Sequence, residues 1–189
     1  MNATVVFDTS MSLDGYMAAS HRTIDQPLGD GGEQLHEWTQ DTDYLASRIE
    51  QLGAVVTGRR NYDDSIRWWG ADGPSGPARR PVFVLTHTAP EEVPEGGVYH
   101  FVTDGIEAAL AQAREVAGDG VVTVMGGADV ARQYLEAGLV DELSIHVVPV
   151  LFGSGLPVFQ GLDLGHVQLE QLESRESPQA VHLRYRVRR

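Results

Sequence analysis

The feature that most constrains the fold is the stretch Val121-Val122-Thr123-Val124-Met125-Gly126-Gly127-Ala128-Asp129-Val130-Ala131-Arg132-Gln133-Tyr134-Leu135. A short apolar, β-branched run, then two glycines, then apolar residues at helical spacing reads as a buried strand, a tight turn and a helix. Such a junction suits a phosphate. Adjacent glycines let the backbone approach a ligand with no Cβ in the way, and the helix start offers unpaired N–H groups and the positive end of its dipole. The same pattern also serves as a plain strand-to-helix turn, so its meaning depends on the rest of the chain.

The other segments repeat the theme. Thr4 to Ser10 reads as a strand running into Ser12-Leu13-Asp14-Gly15, where Asp14 is either a turn former or a polar group at a pocket rim. Ser20 to Gly32 is a polar loop that covers a site or simply connects. From Glu33 to Leu52 the positions Leu35, Trp38, Leu45, Ile49 and Leu52 follow helical spacing, Thr42 interrupts the stripe, and Asp41 sits on its edge. Asp43 points further away, and for both aspartates the alternative is a solvated helix surface.

Gly53 ends that helix, and Ala54 to Thr57 is a buried strand leading into Gly58-Arg59-Arg60-Asn61, a second strand–glycine–helix junction. Arginine there suits bidentate recognition of phosphate; the alternative is a pair of surface charges on an acidic chain. Trp68-Trp69 reads as a hydrophobic lid or a stacking surface. The strand Pro81 to Leu85 stops at Thr86-His87-Thr88, a further polar strand end. Val98 to Val102 reads as a strand and Gly105 to Ala117 as a helix. The helix after Gly127 closes at Gly138, and Leu143 to Val148 is the next strand. Pro149 to Pro157 is an apolar, glycine-broken connection, and Val167–Ser174 with Ala180–Val187 reads as an antiparallel hairpin around Ser177-Pro178. Alternating strands and helices followed by a hairpin predict a single-domain α/β sandwich with a mostly parallel sheet, whose ligand lies at the carboxyl ends of the strands.

A length of 189 residues suits one domain. The net charge of −13 argues against nucleic-acid or anionic-membrane partners, which need a basic face. Zero cysteines exclude disulfides and thiolate chemistry and fit a reducing compartment; with no signal-like segment before Thr4, the expected location is cytoplasmic. The seven histidines show no metal-ligand spacing, and no metal is expected. Serine-hydrolase elbow, zinc-protease pair, Walker loop and GxGxxG fingerprint are all missing.

Taken in order, Ser12-Leu13-Asp14-Gly15-Tyr16-Met17-Ala18, Val56-Thr57-Gly58-Arg59-Arg60-Asn61-Tyr62, Val84-Leu85-Thr86-His87, Val124-Met125-Gly126-Gly127-Ala128, Leu139-Val140-Asp141-Glu142-Leu143 and Pro149-Val150-Leu151-Phe152-Gly153-Ser154-Gly155 resemble the dihydrofolate reductase superfamily. They are most similar to the branch of the riboflavin-biosynthesis reductase (RibD C-terminal) domain. The resemblance implies a three-layer α/β/α fold that binds NADPH. It places Gly58, Arg59, Arg60 and Asn61 at the cofactor's phosphates, and Thr86 and His87 by the 2′-phosphate. It places Gly126 and Gly127, joined by a cis peptide, at the pyrophosphate and nicotinamide side, followed by Ala128, Asp129 and Val130. Asp129 would repel a pyrophosphate, which leaves Arg59 and Arg60 to supply the positive charge.

The chain departs from the family where the substrate binds. Thr42, with Asp41 beside it, stands where dihydrofolate reductases carry a pteridine-facing carboxylate, and Tyr16 stands where riboflavin-type reductases carry lysine. The expected reaction is therefore hydride transfer from NADPH to a small heteroaromatic or carbonyl substrate. Asp14 and Asp41 are the candidates for orienting substrate or relaying a proton, and Met17, Trp38, Thr42 and Trp69 the candidates for the substrate wall. Two alternatives stay open: the 5-amino-6-(5-phosphoribosylamino)uracil reductase of riboflavin biosynthesis, and a nucleotide-binding module without turnover. By analogy with the same branch a homodimer is expected, with Pro149 to Pro157 as the contact.

Overall fold

A computed structural model describes residues 3–188. The chain begins with β1 (Val5–Ser12) and β2 (Tyr16–Ala19), and a 3-10 helix (Gly32–Gln40) leads into α1 (Thr42–Gln51). Next come β3 (Leu52–Gly58), α2 (Arg59–Trp69), β4 (Val82–Leu85), β5 (Tyr99–Val102), α3 (Ile106–Ala117), β6 (Val121–Met125) and α4 (Ala128–Glu136). The chain continues through β7 (Glu142–Val148), β8 (Gly155–Pro157), β9 (Gln168–Glu176) and β10 (Val181–Arg188). Among the described residues, eight strands form one sheet in the order β5-β4-β3-β6-β1-β7-β10-β9, and β2 pairs with β8 in a small second sheet. The strands from β5 to β7 run parallel and β10 and β9 close the edge as an antiparallel hairpin, as the sequence pattern predicts.

Side-chain alternation along the strands divides the sheet into two unlike faces. On one, Val5, Phe7, Val56, Val124 and Ile145 pack with Leu110 and Ala113 of α3 and Ala131 and Tyr134 of α4 in a continuous apolar core. The other face is split. Val55, Val82 and Val84 pack under Tyr62 of α2, while Val148 and Ala180 pack with Tyr44 of α1 and with Leu35 and Trp38 of the 3-10 helix. Between these clusters β1, β6 and β7 present Asp8, Ser10, Thr123, Ser144 and His146, placed side by side by the registers Val6↔Thr123, Asp8↔Ser144 and Ser10↔His146. No helix can bury that stripe without leaving polar groups unpaired. Helices therefore cover both sides of the sheet in three layers, and the second side keeps a gap between α1 and α2.

The segment from Glu33 to Leu52 is two helices rather than one. The backbone bends at Asp41 (φ −72°, ψ 84°), whose side chain accepts a hydrogen bond from Tyr44 N at 3.2 Å and caps α1. A capping carboxylate lies at a helix start by construction, so the stripe that looks continuous in sequence changes direction there. Gly138, in the left-handed region at φ 66°, ends α4, and Leu139 N folds back to Tyr134 O at 2.9 Å. No helix among the described residues is long and apolar enough to cross a membrane.

The ends of β3 and β6 lie together, and the helices that follow them touch. A Cβ on Gly58 would come within 2.7 Å of Val130 Cγ2 on α4, although the Gly58 backbone (φ −88°) suits any residue. Gly58→Ala therefore tests packing alone. It should cost about 1 to 3 kcal/mol in urea unfolding, with most of the loss recovered in a Val130→Ala background.

Candidate active site

The gap between α1 and α2 is a cleft of about 1410 Å³ that continues past the carboxyl ends of β3, β4 and β6. That volume exceeds the roughly 300 to 1,000 Å³ of an ordinary small-molecule site and accommodates two ligands end to end. One end is built from the glycine junctions. Thr57 Oγ1 donates to Met125 O at 2.7 Å, and Asn61 Nδ2 donates to Thr57 Oγ1 at 2.9 Å and to Met125 O at 3.2 Å, fastening the start of α2 to the turn before α4. Gly126 (φ 67°) and Gly127 (φ 79°) make that turn, and a Cβ on Gly126 would meet Asn61 Nδ2 at 2.6 Å. The cis bond expected between these glycines is not there: every peptide bond among the described residues is trans. Two positive φ values, which glycine alone adopts freely, turn the chain instead.

Every residue assigned above to the cofactor lines this cleft. Arg59 is held in place: Nε donates to Asp63 Oδ1 at 2.7 Å, and Nη1 reaches Thr88 O at 2.7 Å and Thr86 Oγ1 at 3.4 Å. Arg60 and His87 are exposed at the rim, and Asp129 lies in the first turn of α4. Val130 faces two ways, since it lines the cleft and also packs beside Gly58.

At the other end the outcome is mixed. Met17, Trp38 and Trp69 line the cleft, whereas Asp14, Asp41 and Thr42 do not. Asp14 staples the turn after β1 to the connection after β7: its carboxylate accepts from Ser12 Oγ at 2.6 Å, Phe152 N at 3.1 Å and Gly153 N at 2.7 Å. The Ser12 hydroxyl first, and then the two backbone N–H groups, hold this carboxyl below its usual pKa. Asp41 is committed to capping α1 and to Arg175 Nη2 at 2.9 Å, and Thr42 is exposed in the first turn of α1. Trp68 forms no lid on the core. It is 61% exposed at the cleft mouth, with the Arg67 guanidinium 4.0 Å from its ring centroid. The loop from 20 to 30 is latched over the cleft onto α2 by Arg22–Asp64 at 2.6 Å and Arg67–Asp25 at 3.1 Å.

The carboxylate that the central strands present to the cleft at this end is Asp8, which sequence reasoning missed. Its Oδ2 accepts from Arg48 Nη2 at 2.7 Å, and the same Nη2 reaches Ser144 Oγ at 3.0 Å. His146 Nε2 stands 3.4 Å from Oδ2. Burial alone would raise the Asp8 pKa, but His146 and Arg48 more than offset it and hold the carboxyl well below its usual range. Behind it, His146 Nδ1 lies 2.8 Å from His182 Nδ1, and His182 Nε2 lies 3.0 Å from Ser177 Oγ. Trp38 covers this chain, its ring centroid 4.0 Å from that of His146 and its Nε1 donating to Ser10 Oγ at 2.8 Å. The available signal was parity: Asp8 and Ser10 on one strand, Ser144 and His146 on another, each pair two residues apart and so on one face of its strand. Among the described residues no three His, Asp or Glu side chains gather as metal ligands.

The central parallel sheet, the covering helices and the carboxyl-end cleft define a fold of the dihydrofolate reductase class. Within that class the chain belongs to the RibD C-terminal domain family, which matches residues 3–183. Uncharacterized protein YwjB of Bacillus subtilis is 26% identical over 98% of both chains. Among solved structures, a Shewanella sp. PV-4 protein provisionally named for riboflavin biosynthesis is 25% identical with a TM-score of 0.73, over 98% of this chain and 99% of that one. The Thermotoga maritima diaminohydroxyphosphoribosylaminopyrimidine deaminase/5-amino-6-(5-phosphoribosylamino)uracil reductase superposes with a TM-score of 0.68 at 17% identity; 98% of this chain covers 57% of that one. Dihydrofolate reductase from Enterococcus faecalis, in complex with NADP(H), superposes with a TM-score of 0.64 at 17% identity over 99% of both. Of these, the Thermotoga and Enterococcus proteins are named reductases.

Two expectations follow for the site. Gly126→Ala combines a left-handed backbone with a collision at Asn61, and should cost about 1 to 2 kcal/mol or more in thermal unfolding. The second concerns pH. Burial, then His146 and Arg175, push the His182 pKa down to about 4 from 6.5, so the fold favours the neutral ring. That stability is present above pH 6.5 and is lost as pH falls from 6.5 towards 4, by roughly 3 kcal/mol for this group. Urea stability measured from pH 7 to pH 4 should show this limb in the wild type and a flatter one in His182→Gln.

Proposed function

We propose that this protein is an NADPH-dependent reductase that delivers a hydride to a small heteroaromatic or carbonyl substrate, working in the cytoplasm. The observation that carries the reading is the meeting of two strand–glycine–helix junctions on one cleft, with Arg59 and Arg60 beside them. The bare Gly126 and Gly127 backbone and the starts of α2 and α4 suit a pyrophosphate, and Arg59 with Thr86 and His87 suits a further phosphate. Bound there, NADPH would supply the hydride.

The chain's own contribution is positional. Asn61 and Thr57 hold the glycine turn, Met125 and Thr123 floor the cleft, and the latched loop with Trp68 and Trp69 limits water at its mouth. Asp8 replaces Asp14 and Asp41 as the polar group nearest the reacting end. Asp14 acts instead as the staple that holds the Met17 strand. The acidic charge and missing cysteine support a small-molecule enzyme of a reducing compartment, with no nucleic acid or membrane as partner. A homodimer is part of the proposal: Leu13 (65% exposed) and Leu151 (69% exposed) lie on neighbouring turns joined by Leu13 N to Val150 O, next to the expected contact at 149–157. The alternative substrate is 5-amino-6-(5-phosphoribosylamino)uracil, favoured by the likeness to the bifunctional enzyme.

Thermal unfolding with and without cofactor tests the reading. At 100 times its dissociation constant NADPH should contribute about 2.7 kcal/mol, or roughly 5 to 10 °C. No shift with NADPH or NADH would remove the cofactor from the proposal. Arg59→Ala should shrink the NADPH shift more than the NADH shift; equal losses would take the 2′-phosphate away from this side chain.

A further inference from the structure

The nine-residue 3-10 helix Gly32–Gln40 sorts its side chains into three straight rows, because at about three residues per turn every third side chain eclipses. Gly32, Leu35 and Trp38 are the buried row, and the last two pack with Tyr44 and Val148. Gln34, Glu37 and Gln40 are exposed and stand outside the cleft. The third row, Glu33, His36 and Thr39, lines the cleft with Asp8 and Ser10. The periodicity that buries Trp38 thus delivers a histidine to the cleft. Neither nitrogen of the His36 ring has a hydrogen-bond partner among the described residues; Thr39 Oγ1 bonds the His36 carbonyl at 2.7 Å and leaves the ring alone.

A carbon of a C=N or C=O bond accepts a hydride readily only when the neighbouring nitrogen or oxygen gains a proton. Few groups at this end of the cleft can give one. Asp8 is held well below its usual range, so it stays ionised and has no proton to donate. Arg22 and Arg48 keep theirs, because a guanidinium does not deprotonate in a protein. The Ser10 hydroxyl accepts from Trp38 Nε1, and the Thr39 hydroxyl is spent on the His36 carbonyl. Histidine is the side chain that ordinarily changes charge near neutral pH. Two histidines line the cleft among the described residues: His87 beside Thr86 at the glycine-junction end, and His36 at the Asp8 end. Burial, then His146 of β7, push the His36 pKa below 6.5, while Asp8 of β1 pulls it up. The other charged groups along this wall are Arg48 of α1, bonded to Asp8, Glu33 on the same helix, and Arg22 and Asp25 of the latched loop, each paired with α2.

We propose that His36 is the general acid of the reduction, its protonated ring donating to the nitrogen or oxygen beside the carbon that takes the hydride. When bound, NADPH supplies the hydride and with it both electrons. The substrate carbon gains the hydride, the heteroatom gains the His36 proton, and the ring, left neutral, takes its next proton from water in the open cleft. Asp8 contributes by its charge, which favours the protonated form of His36. The assignment rests on the reductase reading for the source of the hydride.

Histidine NMR of the full chain tests this without turnover. The nicotinamide ring is positively charged in NADP+ and neutral in the acid-stable analogue tetrahydro-NADPH, and a proton donor beside the reacting carbon must feel that difference. The His36 signal, identified by its loss in His36→Gln, should titrate at lower pH in the NADP+ complex than in the tetrahydro-NADPH complex, while His166, outside the cleft, titrates alike in both. Turnover gives the second readout, with 5-amino-6-(5-phosphoribosylamino)uracil and benzaldehyde as probes. The acid works only when protonated, so wild-type kcat should fall roughly tenfold per pH unit above the His36 pKa. His36→Gln should lose roughly 100-fold in kcat with KM little changed and a flat profile, and added imidazole should restore part of the loss in His36→Ala. Both variants should keep the NADPH thermal shift. Equal His36 titration in the two complexes, or a His36→Gln variant that keeps kcat and its pH limb, would overturn the assignment. If neither probe is turned over, the two titrations decide by themselves. Equal titrations beside a clear thermal shift remove His36 alone; no thermal shift with any nicotinamide cofactor removes the reductase reading, and the acid with it.

Discussion

The contact between Gly58 and Val130 is the constraint on which the cleft depends. Strands β3 and β6 are hydrogen-bonded neighbours, and each delivers a helix at its carboxyl end. Two helices so close can start side by side only if one of them begins on a residue without a side chain, and the 2.7 Å approach leaves no room for a Cβ. Asn61 then converts nearness into rigidity by bonding both Thr57 and Met125 O. The result is a pair of helix starts whose N–H groups share one space, something neither junction provides alone.

The second determinant is the polar stripe on one face of the sheet. An α/β sandwich normally buries both faces of its parallel strands under helices, and apolar residues fill them. Here the face toward α3 and α4 follows that rule, while the other carries Asp8, Ser10, Thr123, Ser144 and His146 in the middle. The helices on that side stand apart, each over its own small apolar cluster. The cleft is thus what remains when polar groups hold the two clusters separate. Its carboxylate is kept ionised by the Arg48 guanidinium on one side and the His146 imidazole on the other.

Much of this was legible in the sequence, for a physical reason. Strand–glycine–helix junctions are local: Gly58 and Gly126 announce themselves within a few residues, and the residues around them do line one cleft. The succession of elements along the chain and the terminal hairpin follow from alternation and turn chemistry, which are local too. Asp8 was hidden because its only local mark is a faint parity with Ser10; Arg48, Ser144 and His146, and His182 behind them, arrive from distant elements and meet it only in the fold. Asp14 and Asp41 misled for the complementary reason. A carboxylate at a turn or a helix start has backbone N–H groups within reach, and these two are occupied by them. The peptide geometry at Gly126-Gly127 was misjudged because two glycines can turn a chain by positive φ as readily as by any other means.

The hairpin of β9 and β10 also sets an order in time. Asp8 leaves the ribosome well before the imidazole that supports its partner, His182 on β10, and Ser177 sits at the turn just before that strand. Until β10 docks against β7, His146 Nδ1 lacks its His182 partner and Asp41 lacks Arg175. Strand β1 therefore waits for β10 before its carboxylate is properly housed, and a chain cut short anywhere in the β9–β10 hairpin would carry its glycine turns intact beside an unfinished floor.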